Sequence, residues 1–120
     1  MKSHNPQFEA IVDTSRARIT ELTVEEVRER TDDFTLVDVR EDREWNIDHI
    51  AGAVHVGKGV IERDIGKQFN LQAALVLYCG GGYRSALAAD ALQQMGYTDV
   101  ASMDGGIRRW RELDLPISKD

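Results

Sequence analysis

The sequence holds one cysteine, Cys79, and two prolines, Pro6 and Pro116, among its 120 residues. A single thiol excludes an internal disulfide framework and a cysteine-based zinc site. Basic residues are outnumbered, 15 against 21 acidic, leaving a formal charge of −6. Phosphate backbones and anionic lipid attract basic surfaces, so a compact acidic domain is a poor match to either. Long apolar runs are missing too: the longest uncharged one, around Leu71–Tyr78, falls far short of the about 20 residues that span a bilayer. The opening Met1-Lys2-Ser3-His4-Asn5-Pro6 leads into no apolar core of signal-peptide type. No repeat, low-complexity tract or Pro/Ser-rich linker divides the chain. These absences describe a cytoplasmic protein with a reduced thiol, no nucleic-acid partner and no membrane partner.

What is present suits one folded domain. Hydrophobic residues make up 42% and charged residues 30%, which excludes a disordered or fibrous chain. Asn5-Pro6 can cap and open a first helix, with Phe8, Ile11, Val12, Ser15 and Ile19 at helical spacing. Arg18–Glu21 turns extended before Thr23, whose spacing to Glu26 is that of a capping box for a helix through about Arg30. Thr35–Val39 reads as a buried strand, Glu41–Asp48 as a short polar helix, and Ala53–Val56 as a brief strand. Val60–Phe69 is weakly helical. Ala73–Tyr78 is the most apolar strand, stopped by Gly80-Gly81-Gly82. Ser85–Met95 carries a helical pattern ended by Gly96, Val100–Met103 is a last strand, and Ile107–Leu113 a last helix. Strands alternating with helices predict an α/β sandwich around a mostly parallel sheet, with sites at the carboxyl ends of strands. That rule points at residues 38–40, 79–84 and 104–106.

Cys79-Gly80-Gly81-Gly82-Tyr83-Arg84-Ser85 is the informative segment. It sets a cysteine at a strand end, then three glycines, an arginine, an N-cap residue in Ser85, and a helix. Glycines permit alternating backbone conformations that turn successive N–H groups inward. Such a nest, backed by a helix N-terminus, stabilises negative charge at its centre. Cys79 stands at one rim of this nest and Arg84 can close the other. A free thiol is only a few per cent thiolate at pH 7, and favouring the anion a hundredfold takes roughly 2.7 kcal/mol. A helix N-terminus supplies about 0.3–2 kcal/mol and a charge-assisted hydrogen bond about 1.5–3, so the parts suffice. An inert core cysteine would need neither the glycines nor the arginine.

Four strings together resemble the rhodanese-like sulfurtransferase family, over about Arg18 to Pro116. Leu36-Val37-Asp38-Val39-Arg40 with Glu44-Trp45 is similar to its opening motif. His49-Ile50-Ala51-Gly52-Ala53 is similar to its "HIPGA" signature, with Ala51 in place of proline. Cys79–Ser85 resembles its active-site loop, and Gly105-Gly106-Ile107 with Trp110 and Leu113–Pro116 its closing pattern, Asp114 departing from glycine. The resemblance implies a five-stranded parallel sheet with helices on both faces. It divides the chain into an N-terminal extension over residues 1–17, read as helical, and a domain over 18–118. It implies a thiosulfate sulfurtransferase: Cys79 takes a sulfane sulfur as a persulfide and passes it to a thiophilic acceptor (cyanide, a thiol or a sulfur-carrier protein). The alternative is a persulfide relay with a dedicated protein partner and little small-molecule turnover. In either case Gly80, Gly81, Gly82, Tyr83 and Arg84 bind substrate, with Arg84 on the donor's sulfonate, while Asp38, Arg40 and Ser85 support the site. No cofactor and no metal is implied, and the oligomeric state is left open.

The remaining candidates read as structural. Asp38 with Arg40 is foremost an ion pair or cap at a strand end. His49, His55 and His4 have no place in the persulfide cycle, and no histidine–carboxylate set has metal-ligand spacing. Trp45 and Trp110 belong to the core or the site wall, and Asp104 to a turn. Lys58, Arg63 and Lys67 form a solvated face. Cysteine phosphatases of similar fold place five residues between cysteine and arginine. Here Gly80–Tyr83 are four, a loop sized for one sulfur atom rather than a phosphate.

Overall fold

A computed structural model describes residues 4–120; residues 1–3, the start of the expected N-terminal extension, lie outside the described residues. Asn5 caps helix α1 (Pro6–Arg16), its side-chain oxygen accepting from the N–H groups of Gln7 and Phe8. Strand β1 (Thr20–Thr23) leads into α2 (Val24–Arg28) through the expected capping box. There Glu26 N–H donates to Thr23 Oγ1, and Thr23 N–H donates to Glu26 Oε1.

Then follow β2 (Thr35–Asp38), α3 (Asp42–Ile47), β3 (His49–Ile50) and β4 (Val54–His55). A short helix α4 (Ile61–Asp64) lies between 3-10 turns at Lys58–Val60 and Ile65–Lys67. Strand β5 (Leu75–Tyr78) enters the glycine loop, and α5 (Tyr83–Gln94) leaves it. Strand β6 (Val100–Asp104), helix α6 (Gly106–Glu112) and β7 (Ile117–Ser118) complete the chain.

Five strands pair in the order β1-β6-β5-β2-β4, every neighbour parallel. The expected five-stranded parallel sheet is therefore present. A second pairing goes beyond the sequence reading: β3 and β7 run antiparallel, His49 opposite Ser118 and Ile50 opposite Ile117.

Strand alternation decides which side chain faces which helix layer. Val37, Leu75 and Leu77 pack with Ala88, Ala89, Leu92, Ile61 and Ile65 on the α4/α5 side. Leu36, Val76 and Tyr78 pack with Val24, Val27, Met103, Ile107 and Trp110 on the α2/α6 side. Cys79, two positions beyond Leu77, continues the α5 side. Tyr78 points the other way, where its hydroxyl accepts from Ile50 N–H at 3.0 Å. Burial, together with the Asp38 charge, holds that phenol far above its ordinary titration range, so it remains a neutral partner.

Several expected boundaries move by a few residues. Helix α5 begins at Tyr83, with Gly82 as its N-cap in the left-handed region (φ 111°), so Ser85 lies inside the first turn and does not cap it. Helix α2 ends at Arg28, before the expected Arg30. Gly96, at φ 104°, ends α5 as its spacing indicates. No described helix is long and apolar enough to cross a membrane.

Helix α1 lies against α5. Asp90 of α5 is buried and accepts from Ser15 Oγ at 2.8 Å and from Arg18 Nη2 at 2.7 Å. Removing the carboxylate would leave the Ser15 hydroxyl buried without its partner. Asp90→Ala is expected to destabilise the protein by about 2 kcal/mol and to raise amide exchange selectively across Pro6–Arg16. Exchange rising equally in α5 and the sheet would show that Asp90 does not act through α1.

Candidate active site

The loop after β5 wraps around its own cysteine. Cys79 Sγ accepts from Gly82 N–H at 3.2 Å and from Ser85 N–H at 3.4 Å. The residue is 1% exposed, so the sulfur sits at the centre of the loop and not at the rim that the sequence indicated. The reason is the early start of α5: a left-handed Gly82 folds the helix N-terminus back over the sulfur. The N–H groups of Gly80, Gly81, Tyr83 and Arg84 donate to no protein acceptor among the described residues, leaving them available to a group on Sγ.

Helix α6 holds the loop in this shape. Ile107 N–H donates to Cys79 O (2.9 Å), Arg108 N–H to Gly80 O (3.0 Å) and Gly105 N–H to Gly81 O (3.2 Å). With three successive carbonyls fixed from outside, the intervening N–H groups turn inward. A methyl group on Gly106 would stand 2.5 Å from both Cys79 O and Gly80 O, and Gly106 itself has φ 56°. The Asp104-Gly105-Gly106 turn thus backs the loop.

Behind the sulfur lies a buried hydroxyl chain. The Cys79 thiol donates to Ser85 Oγ at 3.6 Å, and Ser85 Oγ lies 2.8 Å from Ser102 Oγ. Both serines are wholly buried. Hydroxyl protons rotate to suit their surroundings, so the same chain can donate toward an anionic sulfur. The structure thus places Ser85 against the sulfur; Ser102 was missed, and a serine inside the apolar run Val100–Met103 was its only signal.

Arg84 is engaged differently from the expectation. Its Nη1 and Nη2 donate to Glu44 Oε2 and Oε1 at 2.8 and 3.2 Å. That hydrogen-bonded pairing draws the Glu44 carboxyl down to about 2, against an opposing effect of burial. Arg84 still lines a cleft of about 660 Å³, with Phe8, Val39, Arg40, Lys58 and Val60 among its walls. Tyr83 turns its ring toward α1, where it stacks on Phe8 (5.7 Å), meets His4 at a tilt (4.2 Å) and lies under Arg16 (4.8 Å).

Asp38 and Arg40 form a buried ion pair. Arg40 Nε and Nη2 donate to Asp38 Oδ2 at 3.0 and 2.8 Å, and Nη2 also reaches Asp48 O at 2.7 Å. The pair joins the end of β2 to the segment before β3. Trp45 stacks on His49 (3.5 Å) and His55 (4.9 Å), and the two rings hydrogen-bond to the backbone oxygens of Trp45 and Arg40. No three His, Cys, Asp or Glu side chains cluster to hold a metal among the described residues.

Comparison with known proteins accords with this geometry. Residues 23–113 match the family model of the rhodanese-like domain. The chain belongs to that family, whose members include sulfurtransferases. It is 36% identical over 104 residues to "Probable adenylyltransferase/sulfurtransferase MoeZ" of Mycobacterium tuberculosis, matching 83% of this chain but only 26% of that protein. It is 34% identical over 93 residues to "Thiosulfate sulfurtransferase GlpE" of Pseudomonas aeruginosa, matching 77% of this chain and 84% of the relative. A Rhodopseudomonas palustris protein of unknown function, described as a possible tyrosine phosphatase, superposes with a TM-score of 0.80 at 29% identity, covering 98% of this chain and 99% of the other.

Two outcomes test this geometry. Gly106→Ala should lower stability by about 2–4 kcal/mol, through left-handed backbone strain and the carbonyl clash, read as the shift of a denaturant midpoint. The Arg84–Glu44 pair sets an acid limb. Because the Glu44 carboxyl lies lower when folded (about 2) than in an unfolded chain (4.5), its contribution is full above pH 4.5 and lost as pH falls through about 2. Wild type should therefore lose thermal stability more steeply over that window than Glu44→Gln. Parallel curves would mean that the pair contributes nothing.

Proposed function

We propose that the protein is a thiosulfate sulfurtransferase in which Cys79 carries the transferred sulfur. The Cys79 thiolate attacks the outer sulfur of thiosulfate. A bond forms from Sγ to that sulfur, the sulfur–sulfur bond of the donor breaks, and its electron pair leaves with sulfite. The product is a persulfide anion on Cys79, and the thiol proton has gone to solvent. In the second half-reaction cyanide, a thiol or a carrier protein attacks the terminal sulfur and restores the thiolate. Separate half-reactions imply ping-pong kinetics.

The observation that supports this reading is a loop whose N–H groups either donate to Sγ or have no protein acceptor among the described residues. Two already donate to Sγ. Those of Gly80, Gly81, Tyr83 and Arg84 would receive the second sulfur and its charge. Fixed backbone donors need no reorganisation as the charge develops. Gly82 sets the loop turn, Ser85 supplies the buried hydroxyl, Asp38 and Arg40 brace the strand end, and Arg84 forms the cleft wall through which the acceptor approaches. The same residues would serve a relay to a protein acceptor. Slow turnover with cyanide or small thiols, restored by a protein acceptor, would favour that second reading.

Intact-mass measurement after thiosulfate treatment should show one added sulfur atom in wild type and none in Cys79→Ser, with sulfur transfer to cyanide abolished in the variant and its circular dichroism unchanged. A tenth of wild-type transfer in Cys79→Ser would overturn the assignment. Para-nitrophenyl phosphate serves as the counter-arm, because four residues between Cys79 and Arg84 leave the loop too tight for a tetrahedral phosphoryl group to reach attack distance of about 3–3.5 Å. Hydrolysis lost in Cys79→Ser would overturn the sulfurtransferase reading in favour of a phosphatase.

A further inference from the structure

The loop has a second arginine beside it, outside the expected site. Arg108, in the first turn of the site-bracing helix α6, is exposed and forms no ion pair or side-chain hydrogen bond among the described residues. Its guanidinium lies over Gly81: a methyl group added there would meet Nη1 at 3.2 Å and both Cζ and Nη2 at 3.6 Å. A side chain at Gly81 would therefore push the guanidinium aside. Gly81 and Arg108 share a shallow cleft of about 370 Å³ with Gly105, Asp104 and Thr23. The other charged groups around it are committed. Arg109 pairs with Glu25 (2.7 Å) and Glu112 (3.2 Å), and Asp104 lies 3.7 Å from Arg16. Arg84 has already neutralised its charge against Glu44.

We propose that Arg108 receives the anionic head of the sulfur donor, and that the site thereby selects donors whose leaving group bears a sulfonate or similar oxyanion. The inference rests on the sulfurtransferase reading and assigns the sulfonate to Arg108 in place of Arg84. A guanidinium offers five N–H donors in a planar fork suited to an oxyanion, and here its charge is not spent on a carboxylate. Charge is also supplied where it is needed during reaction. As sulfite departs with the electron pair of the broken sulfur–sulfur bond, negative charge moves from Sγ toward the leaving oxygens. Arg108 stabilises that end while the loop N–H groups hold the persulfide.

The test compares wild type, Arg108→Ala and Arg108→Lys in two assays. In the first, kcat/KM for thiosulfate should fall about tenfold in Arg108→Ala, mainly through KM. Arg108→Lys should recover part of it, because a point charge lacks the fork. In the second, Cys79 is alkylated by iodoacetate and by iodoacetamide, which have nearly the same size and differ in charge. The iodoacetate-to-iodoacetamide rate ratio should fall about tenfold in Arg108→Ala, with the iodoacetamide rate nearly unchanged. An unchanged KM for thiosulfate in Arg108→Ala overturns the proposal, as does an unchanged alkylation ratio. Wild type that forms no persulfide from thiosulfate, yet shows the shift in alkylation ratio, retains Arg108 as an anion-selecting residue and overturns the sulfurtransferase reading instead.

Discussion

Three hydrogen bonds from the start of α6 govern the site. Gly105, Ile107 and Arg108 donate to the carbonyls of Gly81, Cys79 and Gly80. A peptide unit whose oxygen is fixed outward must present its N–H on the opposite side, so these bonds give an ordered turn around Cys79 to a run of glycines that would otherwise be a flexible tether. They also explain why Gly106 must lack a Cβ: the helix start has to approach the loop to within backbone contact. The three glycines after Cys79 and the two before Ile107 are thus two halves of one device. One half supplies conformational freedom and the other removes it again.

Much of this was legible because it is local. The Thr23/Glu26 box, the apolar run into β5 and the Gly96 stop each depend on residues within a few positions, where propensity and capping chemistry act directly. The nest was legible for the same reason, its parts lying within seven consecutive residues, Cys79–Ser85. Distant pairings were not. Glu44 and Arg84 are 40 positions apart, and nothing in either neighbourhood signals the other. The β3–β7 ladder joins His49-Ile50 to Ile117-Ser118, strands of two residues each, too short to show alternation. The start of α5 was misplaced because Ser85 is a better N-cap by type than Gly82. In the fold its hydroxyl is claimed by Ser102 and Cys79, and a left-handed glycine caps instead.

Burial of Cys79 and the chemistry proposed for it are compatible because the sulfur is enclosed by backbone donors and hydroxyls as well as by apolar side chains. Here the Ser85 hydroxyl, backed by Ser102, and two N–H groups stand against it, none of them charged. Neutral donors hold an anion without binding it so tightly that transfer onward stalls. The cations stand further out: Arg84 on its carboxylate at the large cleft, Arg108 beside Gly81.

Helix α1 lies outside residues 23–113, yet it holds the loop by its first side chain. Gly80, Gly81 and Gly82 offer no side chain, so Tyr83 is the first handle after the cysteine. Its ring is held by Phe8 and His4 on one side and by Arg16 on another. Arg16 in turn pairs with Glu21 of β1 at 3.2 Å and lies near Asp104 at the end of β6. The tie therefore runs from α1 through the first residue of α5 to the turn that fixes the loop carbonyls. Since α5 begins at Tyr83, whatever positions that ring also positions the helix start whose Ser85 N–H reaches the sulfur. The loop is clamped from two sides: α6 holds its oxygens, and α1 holds its first side chain.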